Sequence, residues 1–186
     1  MEKVPVDGRF FYRLMYPRPT ILVTCVDSST GKPNIIALSW SVPISFNPRL
    51  LGISVAPKRY SHDLIAQTKE FVVNIPTVTV AKQALLCGRV SGRGVDKFQV
   101  SGLTPKPSRR VKPPIIEECV AHLECRVTHQ ITLGDHTLFI GEVLEAYADK
   151  DLFREGVMDN KKFRTLLHLA EDYFTTTVEE VLTPKI

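Results

Sequence analysis

Six apolar segments, each rich in β-branched residues and bounded by turn residues, dominate this sequence. They are TILVTCVD (20–27), IIALSWSV (35–42), LLGISVA (50–56), FVVNIP (71–76), CVAHLECRVTHQITL (119–133) and TLFIGEVLEAYA (137–148). Such segments are typical of β-strands. Helical patterns are few, at 61–70, at 79–88 and weakly at 161–174, and they do not alternate regularly with the strands as in a doubly wound parallel sheet. The pattern predicts a mainly β protein, a closed or nearly closed barrel with a few peripheral helices.

The chain length of 186 residues predicts one domain, spanning 1–186, with an aromatic and basic N-terminal arm over 1–18. A C-terminal extension is expected over 157–186. The segment 88–114 is rich in glycine and proline and carries seven basic residues against one acidic residue. Two interpretations stay open for this segment. It is either a solvated loop or a functional loop.

The four cysteines form no CxxC pair, and the sequence shows no disulfide framework. We expect reduced, mostly buried thiols in a cytoplasmic protein. The N-terminus lacks the apolar stretch of a signal peptide, and no apolar run approaches the roughly 18 residues of a membrane span. The net charge of +4 suits small anionic ligands and does not by itself imply nucleic acid.

The turn after the third predicted strand combines Lys58, Arg59, Tyr60 and Ser61 at the start of a predicted helix. A cationic side chain and a hydroxyl beside free N–H groups of a helix N-terminus form an anion site. The alternative is an exposed arginine followed by an ordinary N-capping serine, Ser61.

Several of these segments, in this order along the chain, carry a resemblance to a known family. PNIIALSW, PRLLGISVAPKRYSHDLI, EFVVNIP, LEC and GDHTLFIGEV are similar to the flavin reductase-like, FMN-binding split-barrel family, nearest to its flavoredoxin-type and archaeal branches. The resemblance covers about residues 10–175. It implies a six-stranded antiparallel split β-barrel, a homodimer, and FMN bound near the dimer interface. It also implies NAD(P)H as a transient hydride donor to the flavin. The segment 88–114 resembles the family's variable region, which could close over the flavin or dock an adenine dinucleotide phosphate through Arg93, Lys97 or Arg109.

The resemblance also implies a set of cofactor-binding residues. They lie in the turn at 58–61, where the family binds the flavin phosphate, and in the strands that precede this turn. Backbone and hydroxyl groups near a strand offer donors to an isoalloxazine ring, and small residues allow its close approach. The alternatives are solvent-facing serines, a core tryptophan and a plain turn asparagine. The predicted cofactor-binding residues are Asn34, Ser39, Trp40, Ser41, Ser54, Ala56, Arg59, Ser61 and His62.

His136 matches a family histidine near the nicotinamide and flavin, and it is the predicted catalytic residue. A histidine can orient the donor or handle a proton near neutral pH, although a hairpin histidine without a role is the alternative. His122, His129 and Cys125 do not have the spacing of a structural zinc site, so no metal is expected. No GxGxxG follows a strand, which argues against a Rossmann site for the nucleotide.

Three functions follow as alternatives. The first is an FMN-dependent NAD(P)H oxidoreductase whose electrons pass to an acceptor protein, free flavin or a ferric chelate. The second is an FMN-binding electron carrier without nicotinamide activity of its own. The third, from another class, is a small β-barrel that binds single-stranded nucleic acid through the basic segment and aromatic residues such as Phe98. The aliphatic character of the strands disfavours the third.

Overall fold

The computed structural model describes residues 1–181 and residue 184, and most of its regular structure is β-strand. The helices are a 3₁₀ helix Gly8–Met15, α1 (Tyr60–Thr68), a short 3₁₀ turn Val78–Val80, α2 (Ala81–Arg89) and α3 (Lys97–Ser101). The strands are β1 (Arg18–Pro19), β2 (Ile21–Val26), β3 (Pro33–Leu38), β4 (Ser41–Ser45), β5 (Leu50–Val55), β6 (Glu70–Ile75), β7 (Pro105–Lys106), β8 (Ile115–Ile116), β9 (Ala121–Leu133), β10 (His136–Ala148), β11 (Phe153–Arg154), β12 (Val157–Met158), β13 (Leu167–Ala170) and β14 (Tyr173–Thr175).

One large antiparallel sheet is curled so that its two edge strands meet. Its strand order is β3-β2-β6-β9-β10-β5-β4, which puts β3 and β4 at opposite edges. Only Ser39 and Trp40 separate these two strands in the chain. Because so few residues span only about 7–11 Å even when fully extended, the edges must approach each other closely. The Ser54 amide also donates to the Trp40 carbonyl at 2.9 Å, which ties β5 to this corner.

This architecture confirms the mainly β, split-barrel prediction. It corrects the single strand predicted over 35–42, which the structure divides at Ser39 and Trp40 into β3 and β4. The divided strand counts as one of the six expected strands, and its two halves raise the number in the sheet to seven. The remaining strand predictions are confirmed within two residues, and the Gly134-Asp135 hairpin turn joins β9 to β10 as predicted.

Two apolar clusters stabilise the sheet, one on each face. The barrel interior contains Phe71 and Phe139, whose side chains are fully buried. The outer cluster forms where α2 and α3 cover the sheet, and it includes Leu22 and Phe98. Both faces of β2 are therefore buried, which explains its uninterrupted apolar sequence. Gly141 allows the close approach inside the barrel, because a Cβ there would lie 2.8 Å from Phe71 Cζ.

The N-terminus of α1 differs from the predicted one. The helix begins at Tyr60, and Arg59 is its N-cap residue without a side-chain capping bond. The expectation that Ser61 caps this helix is therefore wrong. Ser61 lies inside the first turn and is buried, and its hydroxyl instead accepts a hydrogen bond from Asn34 Nδ2 at 2.8 Å.

The C-terminal segment forms strands where a weak helix was predicted over 161–174. Strand β13 pairs with β14 on one side and with β1 on the other, so that Arg18 lies opposite His168 in a three-stranded sheet. Pairing with a distant strand overrides the weak local helical pattern. Part of the predicted extension over 157–186, at positions 182, 183, 185 and 186, lies outside the described residues.

The basic segment 88–114 is more ordered than its composition predicts. Lys97 in α3 is only 5% exposed, and its Nζ donates to the carbonyls of Ile35 and Cys87, both at 2.7 Å. Burial lowers the pKa of Lys97. The structure thus gives Lys97 two backbone partners, and its docking of a dinucleotide phosphate stays a prediction. Phe98 is also buried, so it cannot offer the exposed stacking face that the nucleic-acid alternative requires.

The two arginines considered with Lys97 also have protein partners. Arg93 pairs with Asp63 at 2.7 Å, and the Arg109 guanidinium lies 4.0 Å above the Tyr147 ring. The backbone of this segment is anchored by Glu124, which is fully buried. Its carboxylate accepts hydrogen bonds from the amides of Arg109 and Arg110 at 2.8 and 2.6 Å. The basic segment is thus fixed to β9 by a buried acceptor.

All four cysteines are free and buried, as predicted. None of the helices in the described part of the chain is long and apolar enough to cross a membrane. Among residues 1–181 and 184, His, Cys, Asp and Glu side chains form no group of three or more that is arranged to hold a metal ion.

The buried thiols predict a loss of stability at alkaline pH. Burial raises the pKa of Cys25 from 9.0 to about 11 and raises the pKa of the other three thiols too. Above pH 9 the unfolded chain loses thiol protons that the native protein keeps, so the free energy of unfolding falls between about pH 9 and pH 11. For each thiol proton that the native protein keeps and the unfolded chain loses, the free energy of unfolding falls by about 1.4 kcal/mol per pH unit.

Urea unfolding under reducing conditions, repeated from pH 7 to pH 10.5, measures this slope. We expect Cys25→Ala to reduce this slope by the contribution of one thiol. The reduction should be seen even if the variant is less stable than the wild type at pH 7. An unchanged slope in Cys25→Ala would show that Cys25 does not carry this pH dependence.

Candidate functional site

A cavity of about 720 Å³ lies where the two edges of the curled sheet meet. Its walls are the corner between β3 and β4, the end of β5 with the following turn, and the hairpin before β10. The N-terminal arm and β13 complete it. The lining residues are Tyr12, Tyr16, Ile36, Ala37, Leu38, Ser39, Trp40, Ser54, Val55, Ala56, Pro57, Lys58, Arg59, Gly88, Asp135, His136 and His168. We refer to it as the main cavity.

The main cavity brings together six of the ten residues predicted from the sequence. They are Ser39, Trp40, Ser54, Ala56, Arg59 and His136. The other four, Asn34, Ser41, Ser61 and His62, do not line it. Their assignment to cofactor binding stays a prediction, and the structure places each of them in a different setting.

Asn34 and Ser61 form a buried pair beside the turn that carries Lys58 and Arg59. Each is at most 3% exposed, and Ser61 lines a smaller cavity of about 190 Å³ together with Lys58, Arg59 and Gly92. Gly92 packs directly over Asn34, because a Cβ at residue 92 would lie 2.0 Å from Asn34 Oδ1. Asn34 therefore supports the loop that closes this smaller cavity.

His62 and Ser41 lie away from the main cavity. The His62 ring packs edge-on against Phe139 with centroids 5.2 Å apart, and its Nε2 is 2.9 Å from Thr137 Oγ1. Ser41 begins β4, and its carbonyl accepts a hydrogen bond from Arg18 at 3.0 Å. The break between β3 and β4 separates the two serines, because Ser39 lies in the connection and Ser41 lies in β4.

Positive charge concentrates at one end of the main cavity. Lys58 and Arg59 are exposed and immediately precede α1, which is nine residues long. Within the described part of the chain, the Arg59 side chain makes no salt bridge or hydrogen bond, whereas Arg93 nearby pairs with Asp63. A free guanidinium at a helix N-terminus is suited to an anionic group such as a phosphate.

Aromatic rings fix the corner residue Trp40. Its indole lies 4.8 Å from the His136 ring with an interplanar angle of 34°, and 5.7 Å from the Tyr12 ring in an edge arrangement. Trp40 Nε1 donates to the Tyr16 hydroxyl at 3.2 Å. These contacts hold Trp40 in place, so that it forms a rigid, largely apolar wall of the main cavity beside Ser39.

His136 is held by the residue that precedes it. Its Nδ1 lies 2.7 Å from Asp135 Oδ1, and this hydrogen bond lowers the pKa of Asp135. Because a carboxylate only accepts, Nδ1 carries the proton in the neutral ring. Nε2 is therefore the ring atom that can accept a hydrogen bond from a molecule in the cavity.

The sequence did not identify His168, Tyr12 and Tyr16 as site residues. His168 Nε2 lies 3.1 Å from the Glu171 carbonyl, which only accepts, so Nε2 donates. In the neutral ring Nδ1 then accepts from Ser39 Oγ at 3.0 Å. No local pattern relates residue 168 to residue 39. The aromatic content of the arm was noted, but nothing in the sequence indicated that it reaches the corner.

Comparison with known proteins agrees with this fold. Residues 11–176 match the family described as the Flavin reductase like domain. An uncharacterized protein of Archaeoglobus fulgidus is 40% identical over 166 residues, which cover 89% of this chain and 92% of that protein.

Two solved structures are similar over nearly the whole length. Flavoredoxin from Methanosarcina acetivorans is 30% identical, with a TM-score of 0.85 and coverage of 98% of this chain and 95% of that one. An FMN-binding protein from Thermus thermophilus, solved with bound 1-cyclohex-2-enone, is 26% identical, with a TM-score of 0.84 and coverage of 99% and 98%. The chain belongs to the flavin reductase-like domain family.

Proposed function

We propose that this protein is an FMN-binding oxidoreductase that is reduced by NAD(P)H. The observation that carries the proposal is the main cavity of about 720 Å³, which has an aromatic wall and, at one end, a guanidinium without a partner among the described residues. A planar ring system with a terminal phosphate needs both features. The similarity to flavoredoxin and to an FMN-binding protein supports FMN as the cofactor. A flavin reductase of Pseudomonas putida is 29% identical over 148 residues, which supports the reductase activity.

The residues present fit the cofactor. Lys58 and Arg59 would bind the phosphate, next to the smaller cavity that Ser61 lines. The hydroxyls of Ser39 and Ser54 would serve the polar edge of the ring, and the small side chain of Ala56 allows close approach. When bound, FMN supplies hydride acceptance and onward electron transfer.

Trp40 and His136 would exclude water on one side of the ring and leave room for a transient nicotinamide. The Asp135 hydrogen bond fixes the His136 ring so that Nε2 is available to hold or position the donor. This is the residue for which we propose the catalytic role.

A second candidate is an FMN-binding electron carrier that is reduced by another protein. The flavoredoxins of Methanosarcina acetivorans and Desulfovibrio vulgaris, 30% and 28% identical, favour this candidate. In either case the electron acceptor would be a partner protein, free flavin or a ferric chelate.

Anaerobic mixing with NADH and with NADPH separates the two candidates. We expect the purified protein to bind FMN, and the flavin absorbance to bleach with one or both nucleotides. Dithionite serves as the control, because it reduces any accessible flavin. Bleaching by dithionite alone would select the carrier, and a failure to bind FMN would contradict both candidates.

We propose that the protein acts as a homodimer. Apolar side chains remain exposed along the edge strand β4 and just after it, with Val42 at 45%, Ile44 at 43% and Phe46 at 98% exposure. A twofold contact is the most common way to cover such a surface. Light scattering should give about twice the 20.9 kDa mass of one chain, and a monomeric mass with flavin bound would exclude the dimer.

A further inference from the structure

The smaller cavity beside Ser61 adjoins the main cavity and is bounded on its far side by a loop. The residues that line both cavities, and so form the entrance, are Ile36, Lys58, Arg59 and Gly88. The other lining residues are Tyr60, Ser61, Cys87, Arg89, Val90, Ser91, Gly92 and Lys97. Among them, residues 90–92 belong to the loop of residues 90–96 that joins α2 to α3. We refer to residues 90–96 as the closing loop.

Gly92 brings the closing loop into contact with the residues behind the cavity. A Cβ at residue 92 would lie 2.0 Å from Asn34 Oδ1 and 3.2 Å from Tyr60 Cδ1, so a residue with a side chain could not approach this closely. Asn34 Oδ1 is buried at this contact and has no hydrogen-bond partner among the described residues. Covering an unsatisfied acceptor costs free energy. The contact at Gly92 alone therefore holds the loop weakly.

Arg93 holds the closing loop from the outside. Its guanidinium pairs with Asp63 at 2.7 Å and lies 5.1 Å from the centre of the Tyr60 ring. Both partners lie in the first turn of α1, so these contacts fasten the loop to the helix on the opposite side of the cavity. Arg93 and Asp63 line neither the main cavity nor the smaller one. Their contact thus acts on the loop and not on a ligand.

The smaller cavity has room for one phosphate group. Its volume of about 190 Å³ is that of about six water molecules, at about 30 Å³ each. Lys58 and Arg59 bring positive charge to its entrance. A flavin dinucleotide would have to place a second phosphate, a ribose and a purine beyond the first phosphate, where the closing loop lies.

We propose that the closing loop makes the flavin site selective for a single terminal phosphate, and that the Arg93–Asp63 pair strengthens this selectivity. FMN binds with the loop closed. FAD binds only with the loop open, so its affinity is lowered by the cost of breaking the contact between Arg93 and Asp63. The inference rests on the proposed function, because it concerns the same flavin site.

Fluorescence titration of the full-length protein with FMN and with FAD tests the selectivity. We expect the wild type to bind FMN at least about tenfold more tightly than FAD. Equal or tighter binding of FAD would overturn the role of the loop and leave a flavin site in place. Failure to bind either flavin would overturn the proposed function together with this inference.

Arg93→Ala and Asp63→Asn break the same pair but change the net charge in opposite directions. We expect each variant to bind FAD about two- to fivefold more tightly and FMN with unchanged affinity. Because both changes remove one contact, the double variant should gain no more than Arg93→Ala alone. Weaker FAD binding in Arg93→Ala with tighter binding in Asp63→Asn would show simple attraction of an anion, and would overturn the proposal.

Gly92→Ala should open the closing loop from the inside, because its Cβ would overlap Asn34. We expect the affinity for FAD relative to FMN to rise at least about fivefold. Gly94→Ala is the matched control, since a Cβ there would meet no atom within 4 Å beyond its chain neighbours. An unchanged affinity ratio in Gly92→Ala would overturn the proposal.

Hydrogen exchange of the amides at 91–95 in the flavin-free protein examines the loop without any ligand. We expect faster exchange in Asp63→Asn and in Gly92→Ala than in the wild type, because each change removes a contact that keeps the loop closed. Unchanged exchange in both variants would show that these contacts do not hold the loop, and would overturn the proposal whichever flavin binds.

Discussion

His136→Ala should bind FMN with little change and yet be reduced by NAD(P)H about 10²–10⁴-fold more slowly. His136 lines the main cavity at the hairpin, where its ring lies 4.8 Å from that of Trp40. Its Nδ1 is committed to Asp135, so only Nε2 is available to a donor. A group in this position affects the reduction step more than the retention of the flavin.

Stopped-flow reduction at several donor concentrations measures the effect. A lower limiting rate would implicate hydride transfer, and a raised half-saturation would implicate donor docking. His129→Ala is the matched control, since His129 is exposed on the neighbouring strand and does not line the cavity. If His136→Ala is reduced at the wild-type rate at every concentration, His136 is only a turn residue.

Arg59→Ala should weaken FMN binding about ten- to a hundredfold and leave riboflavin binding nearly unchanged. Riboflavin lacks the phosphate, so the difference between the two ligands isolates the charge-assisted contact. The Arg59 guanidinium has no partner among the described residues, so its removal breaks no salt bridge there.

Equilibrium titrations of both flavins, followed by fluorescence, give the two ratios. Arg93→Ala is the control for net charge, because Arg93 pairs with Asp63 and does not line the main cavity. Equal losses for FMN and riboflavin in Arg59→Ala would remove the phosphate assignment.

The strands and the turn that carries Lys58 and Arg59 were predictable because their determinants are local. β-branched runs such as 20–27 and 71–76 are buried as the pattern indicates, and the Gly134-Asp135 turn has the short length that fixes a hairpin. Ser54, Ala56 and Arg59 line one cavity because they follow one another at the end of a single strand. Local sequence was therefore sufficient to predict that these three residues lie together.

The other half depends on long-range pairing that no local pattern contains. His168 reaches Ser39 because β13 pairs with β1, whose residues lie about 150 positions earlier in the chain. The spacing of apolar residues in TLLHLA also fits one face of a helix, which led to the wrong prediction there. Tyr12 likewise reaches Trp40 only through the docking of the arm.

The basic segment shows a further limit of composition. Lysine is rarely buried, so Lys97 was expected in solvent. Its ammonium group instead donates to two backbone carbonyls, that of Ile35 in the edge strand β3 and that of Cys87 in α2. Such a role depends on where the chain returns to the sheet, which the count of charges does not indicate.

The pairing of β1 with β13 has a consequence for how the protein is made. The wall of the main cavity contains Tyr12 and His168, which lie 156 positions apart in the chain. Although segments of a chain can begin to fold during translation, this wall cannot close until the C-terminal strands have left the ribosome. A nascent chain that stops before residue 167 would possess most of the barrel and only an open half-site. The wall of the main cavity is therefore completed later in synthesis than the barrel strands that form the rest of it.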